Sequence, residues 1–331
     1  MTASTTTPGT PTTPMSSTTT PTPPTKDAVI DQEPQAAAAA PVELRADCIA
    51  DSAGGLTFDL NAPESAPTSW NAALVLRLRG GDGVDDEVRL PLGPNGSGRL
   101  RAVLPSTVAL AEGRWNAYAD LGDGSDPRRL LPGINDLRSL VDRRPLAGIG
   151  RLGVRIPYAT KFGNLALRSW LRGPHAEAGD IRVTPEGITV SGRLYGASPA
   201  AGARAEARAR RTTRAVDDAA PAVTVPLDIE GPDFTFTLTH EELAGTGPDG
   251  GEPWDLWLRP AADAHPVRIA RLLDDVPDKK QIFRYPALPL PTAAGQVKVK
   301  PYYTLDNDLA LRFTGTEDQG LSEGPVRRER P

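Results

Sequence analysis

The feature that most constrains the fold of this chain is an internal repeat. PYATKFGNLALR (157–168) matches PYYTLDNDLALR (301–312), and both keep Pro, Tyr, Thr and the Leu-Ala-Leu-Arg block. Three further pairs of segments lie before this one in the chain, in the same order in both copies: GGLTFDL (54–60) with EGITVSG (186–192), VRLPL (88–92) with VTVPL (223–227), and Trp115 with Trp254. The offset between partners grows steadily along the chain, which is typical of two related units whose second copy has gained loop insertions. We predict units at 43–172 and 174–314.

Each unit is predicted to consist of short strands. Apolar or alternating runs of five to eight residues, such as ALVLRLR (73–79), RWNAYADL (114–121) and FTFTLT (234–239), are bounded by Gly, Pro, Asp or Asn. The 32 Gly and 34 Pro residues disfavour long helices. About seven strands in each unit predict an all-β chain with two tandem immunoglobulin-like antiparallel β-sandwich domains.

One segment, ARAEARARRTTR (203–214), fits either a helix or a strand by composition. It lies opposite ALVLRLRGGDG (73–83) in the repeat, which favours a strand. Arg204, Arg208 and Arg210 would then share one face, which we expect to be solvated. A nucleic-acid surface is disfavoured because no aromatic residue interleaves with these arginines and the net charge is −5.

The two ends of the chain are predicted to be disordered. Residues 1–25 contain twelve Thr, six Pro and three Ser, so residues 1–42 cannot bury enough apolar surface to fold, and residues 315–331 are charged. No basic start precedes an apolar stretch, which indicates no secretory signal and predicts a cytoplasmic location. An O-glycosylated stalk is the alternative for the Thr/Pro tract. No apolar run is long enough for a membrane span.

Several classes of catalytic and cofactor site are disfavoured by the sequence. A single cysteine, Cys48, and three scattered histidines exclude a disulfide scaffold, a zinc finger and an iron–sulfur site. GIGRLG (148–153) matches a dinucleotide fingerprint, but a strand pattern follows it where a helix is required. A GxSxG motif is absent from the sequence. We therefore predict no catalytic residue and no cofactor.

Asp306-Asn307-Asp308 could hold a divalent metal, because two carboxylates on one loop can ligate a hard cation. Asp306 and Asp308 are therefore the metal-ligand candidates. Asp and Asn are also common turn residues, and the segment lies between two predicted strands. A hairpin turn is the favoured interpretation, with no metal.

Aromatic and arginine side chains supply the candidates for contact with a ligand or partner. The repeat-equivalent pairs Trp115/Trp254 and Tyr158/Tyr302 are expected in the core. Trp257 is expected on the same face as Trp254, as core or as a platform for sugar rings. Arg168 and Arg312 each follow Leu-Ala-Leu and could pair with a carboxylate or hold an anion of a ligand. The candidate contacts are Trp70, Trp257, Tyr303, Arg168 and Arg312, with Trp70 and Tyr303 expected at the surface.

A family resemblance comes from the closing part of the chain. The Trp254-Asp255-Leu256 strand, RIARLLDDVPDKKQIFRYPA (268–287) and VKPYYTLDNDLALR (299–312) resemble β-domains of actinobacterial transferases. In those proteins such domains flank the catalytic region of teichoic-acid-type CDP-glycerol glycerophosphotransferases and related glycosyltransferases. The resemblance covers both repeats and includes none of the α/β catalytic half, so it carries over no catalytic residue.

The resemblance implies a non-catalytic accessory protein that binds a transferase, an envelope glycopolymer or its precursor. Two alternatives remain. One is a glycosyl- or glycerophospho-transferase with an unfamiliar site at Asp306 and Asp308. The other is a structural or adhesive protein, in which the Thr/Pro tract is a tether.

Overall fold

β-Strands make up nearly all the regular structure of the computed structural model, which confirms the all-β prediction. The structure describes residues 43–61, 70–141, 143–145, 150–210, 223–245, 252–292 and 295–315. Of the two predicted disordered tails, 1–42 and all of 315–331 except Gly315 lie outside these residues. The longest helix among them, α1 (His240–Gly245), has six residues, and none is long and apolar enough to cross a membrane.

The first half, residues 43–172, builds two sheets. The strands are β1 (Arg45–Ala50), β2 (Leu56–Leu60), β3 (Ala73–Leu78), β4 (Glu87–Pro91), β5 (Gly93–Pro94), β6 (Leu100–Leu104), β7 (Gly113–Asp120), β8 (Arg128–Arg129), β9 (Leu131–Asp136), β10 (Leu152–Ala159) and β11 (Leu165–Arg172). One sheet has the order β5-β6-β2-β1-β9 and the other β10-β11-β7-β3-β4, with β8 also paired to β7. Only β1 and β9 pair in parallel among these described strands. Single 3-10 turns follow β3 (Val84–Asp86) and β9 (Arg138–Leu140).

The second half, residues 174–315, repeats this strand order. The strands are β12 (His175–Thr184), β13 (Gly187–Tyr195), β14 (Arg204–Ala209), β15 (Val223–Pro226), β16 (Asp228–Glu230), β17 (Asp233–Thr239), β18 (Trp254–Arg259), β19 (Val267–Ala270), β20 (Leu288–Thr292), β21 (Gly295–Tyr303) and β22 (Leu309–Gly315). A 3-10 turn (Lys279–Gln281) lies between β19 and β20. The order β16-β17-β13-β12-β19 corresponds to β5-β6-β2-β1-β9, and β21-β22-β18-β14-β15 corresponds to β10-β11-β7-β3-β4. β12 and β19 pair in parallel, as β1 and β9 do. This match supports the predicted duplication, while the immunoglobulin-like assignment and the domain boundaries stay predictions.

Each half is built around a hydrophobic core, because alternate residues of the strands face inward. The first core also includes Tyr195, Ala270, Leu272 and Leu273 of the second half. In β6, for example, Leu100, Ala102 and Leu104 are buried, whereas Arg101 and Val103 are exposed. Trp115 and Trp254 are buried in the first and second core, as predicted. Tyr158 and Tyr302 are only half-buried, so their predicted core position is wrong.

Residues 204–209 form β14, which confirms the strand interpretation of the arginine-rich segment; residues 211–214 lie outside the described part of the chain. The expected solvated face is wrong, because Arg208 is buried. The reason is Glu206, a fully buried carboxylate on the same face. It accepts hydrogen bonds from Arg208 Nη2 at 2.6 Å, Arg259 Nε at 2.7 Å and Arg204 Nε at 3.0 Å.

Candidate anion-binding clefts

An aromatic ring lies between two arginines on the outer face of β10-β11-β7-β3-β4 in the first half and of the corresponding strands β21-β22-β18-β14-β15 in the second. In the first half the guanidinium carbons of Arg77 and Arg129 lie 5.1 and 4.8 Å from the ring centroid of Tyr118. In the second half Arg208 and Arg268 lie 5.5 and 4.8 Å from the ring centroid of Trp257. Such geometry is a cation–π contact in both halves. These are equivalent positions, since Tyr118 pairs with Arg129 across the sheet and Trp257 pairs with Arg268.

Trp254 and Trp257 do not share a face, contrary to the expectation. They are three residues apart, and successive side chains of a strand alternate between faces, so an odd spacing separates them. Trp254 packs in the core against Phe313, whereas Trp257 lies under the arginines of the outer face. Trp257 is 8% exposed, so its ring faces are covered.

A hairpin of the same design closes each of these sheets. Thr160 joins β10 to β11, and its Oγ1 accepts hydrogen bonds from the backbone N–H of Phe162 and Asn164 at 3.3 and 3.2 Å. Thr304 joins β21 to β22 and does the same for Asp306 and Asp308, both at 3.2 Å. The fourth residue of each turn is left-handed, Gly163 at φ 75° and Asn307 at φ 61°, which Gly and Asn tolerate best. Residues 306–308 therefore belong to a hairpin turn, as expected.

In the first half, the hairpin, the outer sheet face and residues 277–278 enclose a cleft of about 890 Å³, called here the first cleft. Its wall contains the polar side chains of Tyr158, Thr160, Asn116 and Asn164. Its charged lining consists of the cations Arg79, Arg114, Arg129, Lys161 and Arg168, and the acid Asp278. The first cleft is therefore strongly basic.

The corresponding cleft of the second half, the second cleft, has a volume of about 760 Å³ and contains its own counter-charges. Asp255 pairs with Arg210, whose Nε lies 3.0 Å from Oδ1, and with Arg268 at 2.7 Å. Asp308 pairs with Arg268 at 3.3 Å and with Arg172 at 2.8 Å. Burial opposes ionisation of Asp255, but the hydrogen bonds from Arg210 and Arg268 outweigh it and hold its pKa below the ordinary value.

The two clefts differ in charge because the first half has amide side chains at two positions where the second half has carboxylates. Asn116 lies between Arg77 and Ala166 in the sheet, and Asp255 lies between Arg208 and Ala310. The two therefore hold the same register position. Asn116 Oδ1 accepts from Arg79 Nε at 2.8 Å, as Asp255 accepts from Arg210.

Asn164 likewise takes the hairpin position of Asp308. The arginines at the corresponding places are kept, so the first cleft has the cations without their acids.

Two further cations of the first cleft have no acidic partner among the described residues. The Arg114 side chain makes no ion pair there, and its sheet neighbour across β11 is Arg168. Lys161 lies at the hairpin tip with its Nζ 4.8 Å from the ring centroid of Phe162, a ring that is 77% exposed. Unpaired cations beside an exposed aromatic ring can bind an anion that also carries carbon surface.

Arg168, a predicted contact residue, is buried and bonds to Asp306 of the other half. Trp170 Nε1 also donates to Asp306 O at 3.0 Å. The carboxylates of the two metal candidates, Asp306 and Asp308, thus both accept from arginines. Within the described ranges no three His, Cys, Asp or Glu side chains are grouped as a metal site.

The remaining predicted contacts are scattered. Trp70 is fully exposed, beside the undescribed residues 62–69, and Arg312 lines the second cleft with its guanidinium 4.7 Å from the Tyr302 ring. Tyr303 is fully buried among core aromatics, so its expected surface position is wrong. Its neighbour Tyr302 faces outward instead, because adjacent residues of a strand point to opposite faces.

Sequence reasoning missed Arg79, Arg114, Arg129 and Lys161, the residues that make the first cleft basic. They come from the position after β3, from β7 and β8, and from a hairpin, and only the register of the sheet brings them together. One signal was available: the repeat alignment already sets Asn164 opposite Asp308.

No family model and no curated protein matches the sequence. Among solved structures, a match is found to residues 217–571 of S. aureus TarS, at 12% sequence identity and a TM-score of 0.28. It covers 60% of this chain and 56% of that chain, so little more than half of the TarS fragment is spanned. A likeness this distant carries no argument about this protein.

Proposed function

We propose that this protein is a non-catalytic accessory protein of envelope glycopolymer synthesis, and that the first cleft binds the phosphate-bearing polymer. The observation that carries the proposal is the charge of that cleft: five cations and one acid line it, and of the five only Arg168 pairs with a carboxylate of the described residues, that of Asp306. The family resemblance of the sequence supplies the biological setting and makes a glycosyl- or glycerophospho-transferase the expected partner.

The chemistry of teichoic-acid-type polymers suits such a cleft. Each phosphodiester carries one negative charge, and polyol or sugar units separate the charges. A guanidinium can donate two parallel hydrogen bonds to one oxyanion, whereas an ammonium acts as a point charge. Arg114 supplies a guanidinium and Lys161 an ammonium. The exposed ring of Phe162 offers a surface for the carbons between phosphates.

The arrangement at Asp306 and Asp308 favours binding over the transferase alternative. That alternative depends on two carboxylates free to hold a metal and a nucleotide-linked donor. Asp306 instead bonds to Arg168, and Asp308 to Arg172 and Arg268. Both carboxylates are engaged within the fold.

The test is equilibrium binding of a synthetic glycerol-phosphate oligomer, compared with a neutral oligosaccharide of similar length. We expect the oligomer alone to bind, with affinity that falls as salt rises. R114A/K161A should weaken binding by about tenfold or more, since it removes two cations that have no acidic partner among the described residues. The matched control is R182A/R284A, which removes two exposed cations that line neither cleft.

Two results would overturn the proposal: no oligomer binding at low ionic strength, or equal weakening by both double variants. Turnover of a CDP- or UDP-linked donor that is lost in D306A/D308A would instead establish the transferase alternative.

A further inference from the structure

The second half of the protein contains an anion at a defined place on its outer sheet face. The carboxylate of Asp255 lies between two guanidiniums, with Oδ1 3.0 Å from Arg210 Nε and Oδ2 2.7 Å from Arg268 Nη1. Arg268 also covers one face of Trp257. The second half thus has an anion site made of two arginines and an aromatic ring. The anion in that site is the chain's own carboxylate, that of Asp255.

The first half keeps the two arginines and the ring but not the carboxylate. Arg79 and Arg129 stand at the positions of Arg210 and Arg268, and Tyr118 stands at that of Trp257. Asn116 replaces Asp255 and satisfies one hydrogen bond of Arg79 without supplying charge. Arg129 contacts the Tyr118 ring and the Ala117 carbonyl oxygen at 3.5 Å, and it has no carboxylate partner among the described residues.

We infer that an oxyanion of the ligand lies between Arg79 and Arg129 of the first cleft, where the second half places the Asp255 carboxylate. The chemical class is a phosphate or phosphodiester group, and each chain takes one such group at this place. The equivalent place in the second cleft takes none, because the Asp255 carboxylate already lies between Arg210 and Arg268 and Asp308 also pairs with Arg268. Only the identification of the source as a phosphodiester polymer rests on the proposed function.

Charge explains why the chain's own amide does not complete the site. Arg79 meets only the neutral amide of Asn116, and Arg129 meets no carboxylate among the described residues, so both guanidiniums keep most of their charge unmatched and an anion gains favourable interaction with both. Arg114 lies on the same strand as Asn116, two residues away on the same face, and adds a third cation nearby. The place is open to solvent through the first cleft, so a phosphate on a longer chain can enter it.

The decisive variant is Asn116→Asp, which gives the first half the anion that the second half has. The probes are inorganic phosphate and the glycerol-phosphate oligomer. Each is titrated into the protein, and binding is measured by NMR. We expect one saturable phosphate site in the wild type and at least about tenfold weaker binding of both probes in the variant. Stability toward urea should be unchanged or higher, because the introduced carboxylate would pair with arginines as that of Asp255 does.

Three further variants isolate the cause. N61D makes the same change of net charge at an exposed position away from both clefts and should bind like the wild type. N116A removes the amide without adding charge and should weaken binding less than threefold, about 0.6 kcal/mol. N164D adds the carboxylate that Asp308 supplies beside Arg268, and it should weaken binding as N116D does.

The outcomes separate this inference from the proposed function. Phosphate binding that is lost in N116D, with no binding of the oligomer, supports the inference and overturns the function. Oligomer binding that N116D and N164D leave intact but R114A/K161A abolishes overturns the inference and supports the function. Weakening of equal size in N116D and N61D would also overturn the inference, since net charge alone would explain it.

Discussion

Asp255 occupies in the second half the register position that Asn116 occupies in the first. The neighbours across the sheet correspond, Arg208 and Ala310 for one and Arg77 and Ala166 for the other. The two residues differ by one oxygen in place of an NH2 group, and that difference decides whether the arginines beside them are neutralised within the fold. Two copies of one sheet therefore present surfaces of different charge.

We expect Glu206→Gln to destabilise the protein by about 3 kcal/mol, measured as urea unfolding. Glu206 is buried and pairs with Arg204, Arg208 and Arg259, so loss of its charge removes the counter-ion that these three guanidiniums share. The control is Glu241→Gln, at an exposed position of α1, which should change stability by no more than about 0.5 kcal/mol. Equal effects of the two variants would contradict the structural role of Glu206.

Stability should fall in acid because of the same carboxylate. Burial raises the pKa of Glu206, but hydrogen bonds from Arg259 and Arg208 outweigh this effect, so its folded pKa lies below the ordinary value. A lowered folded pKa stabilises the fold fully above the unfolded pKa of about 4, and this contribution is lost as pH falls through the folded value. Urea unfolding from pH 7 to pH 3 should therefore show a steeper loss for the wild type than for E206Q. If the stability of the wild type and of E206Q fell equally with pH, the acid sensitivity would come from other groups, such as Asp255.

The sequence predicts the fold better than it predicts the clefts, for a physical reason. Repeats, strand periodicity and turn residues such as Asn307 are local patterns, and each led to an element that the structure contains. A cleft needs side chains from several strands, and their meeting depends on register. Glu206 illustrates the difference. In the sequence it is one acid among arginines, whereas in the sheet it is buried and forms ion pairs with three arginines.

Trp170→Phe should weaken the junction between the halves and lower stability by about 1–3 kcal/mol. Trp170 is buried, and its indole N–H donates to the Asp306 carbonyl oxygen at 3.0 Å, a bond that Phe cannot make. Trp70→Phe is the matched control, because Trp70 is fully exposed. Urea unfolding of both variants checks the prediction, and a loss of equal size in W70F would contradict it.

Cys48 offers a test of whether the halves unfold together. It is the only cysteine and lies buried in β1, where burial, reinforced by the Asp47 charge, raises the pKa of its thiol to about 12. The thiolate is the reactive form, so a thiol reagent at pH 8 should label the folded protein only through unfolding. Contacts of Arg168 and Arg172 with Asp306 and Asp308 join the halves, and we expect cooperative opening.

E206Q, which acts in the second half, should then speed the labelling of Cys48 in the first half. In the regime where opening equilibrates before labelling, a loss of about 3 kcal/mol corresponds to roughly a hundredfold faster rate. E241Q should leave the rate unchanged. Faster unfolding of the second half, seen by fluorescence of Trp254 and Trp257, without faster labelling would show that the two halves open independently despite the ion pairs between them.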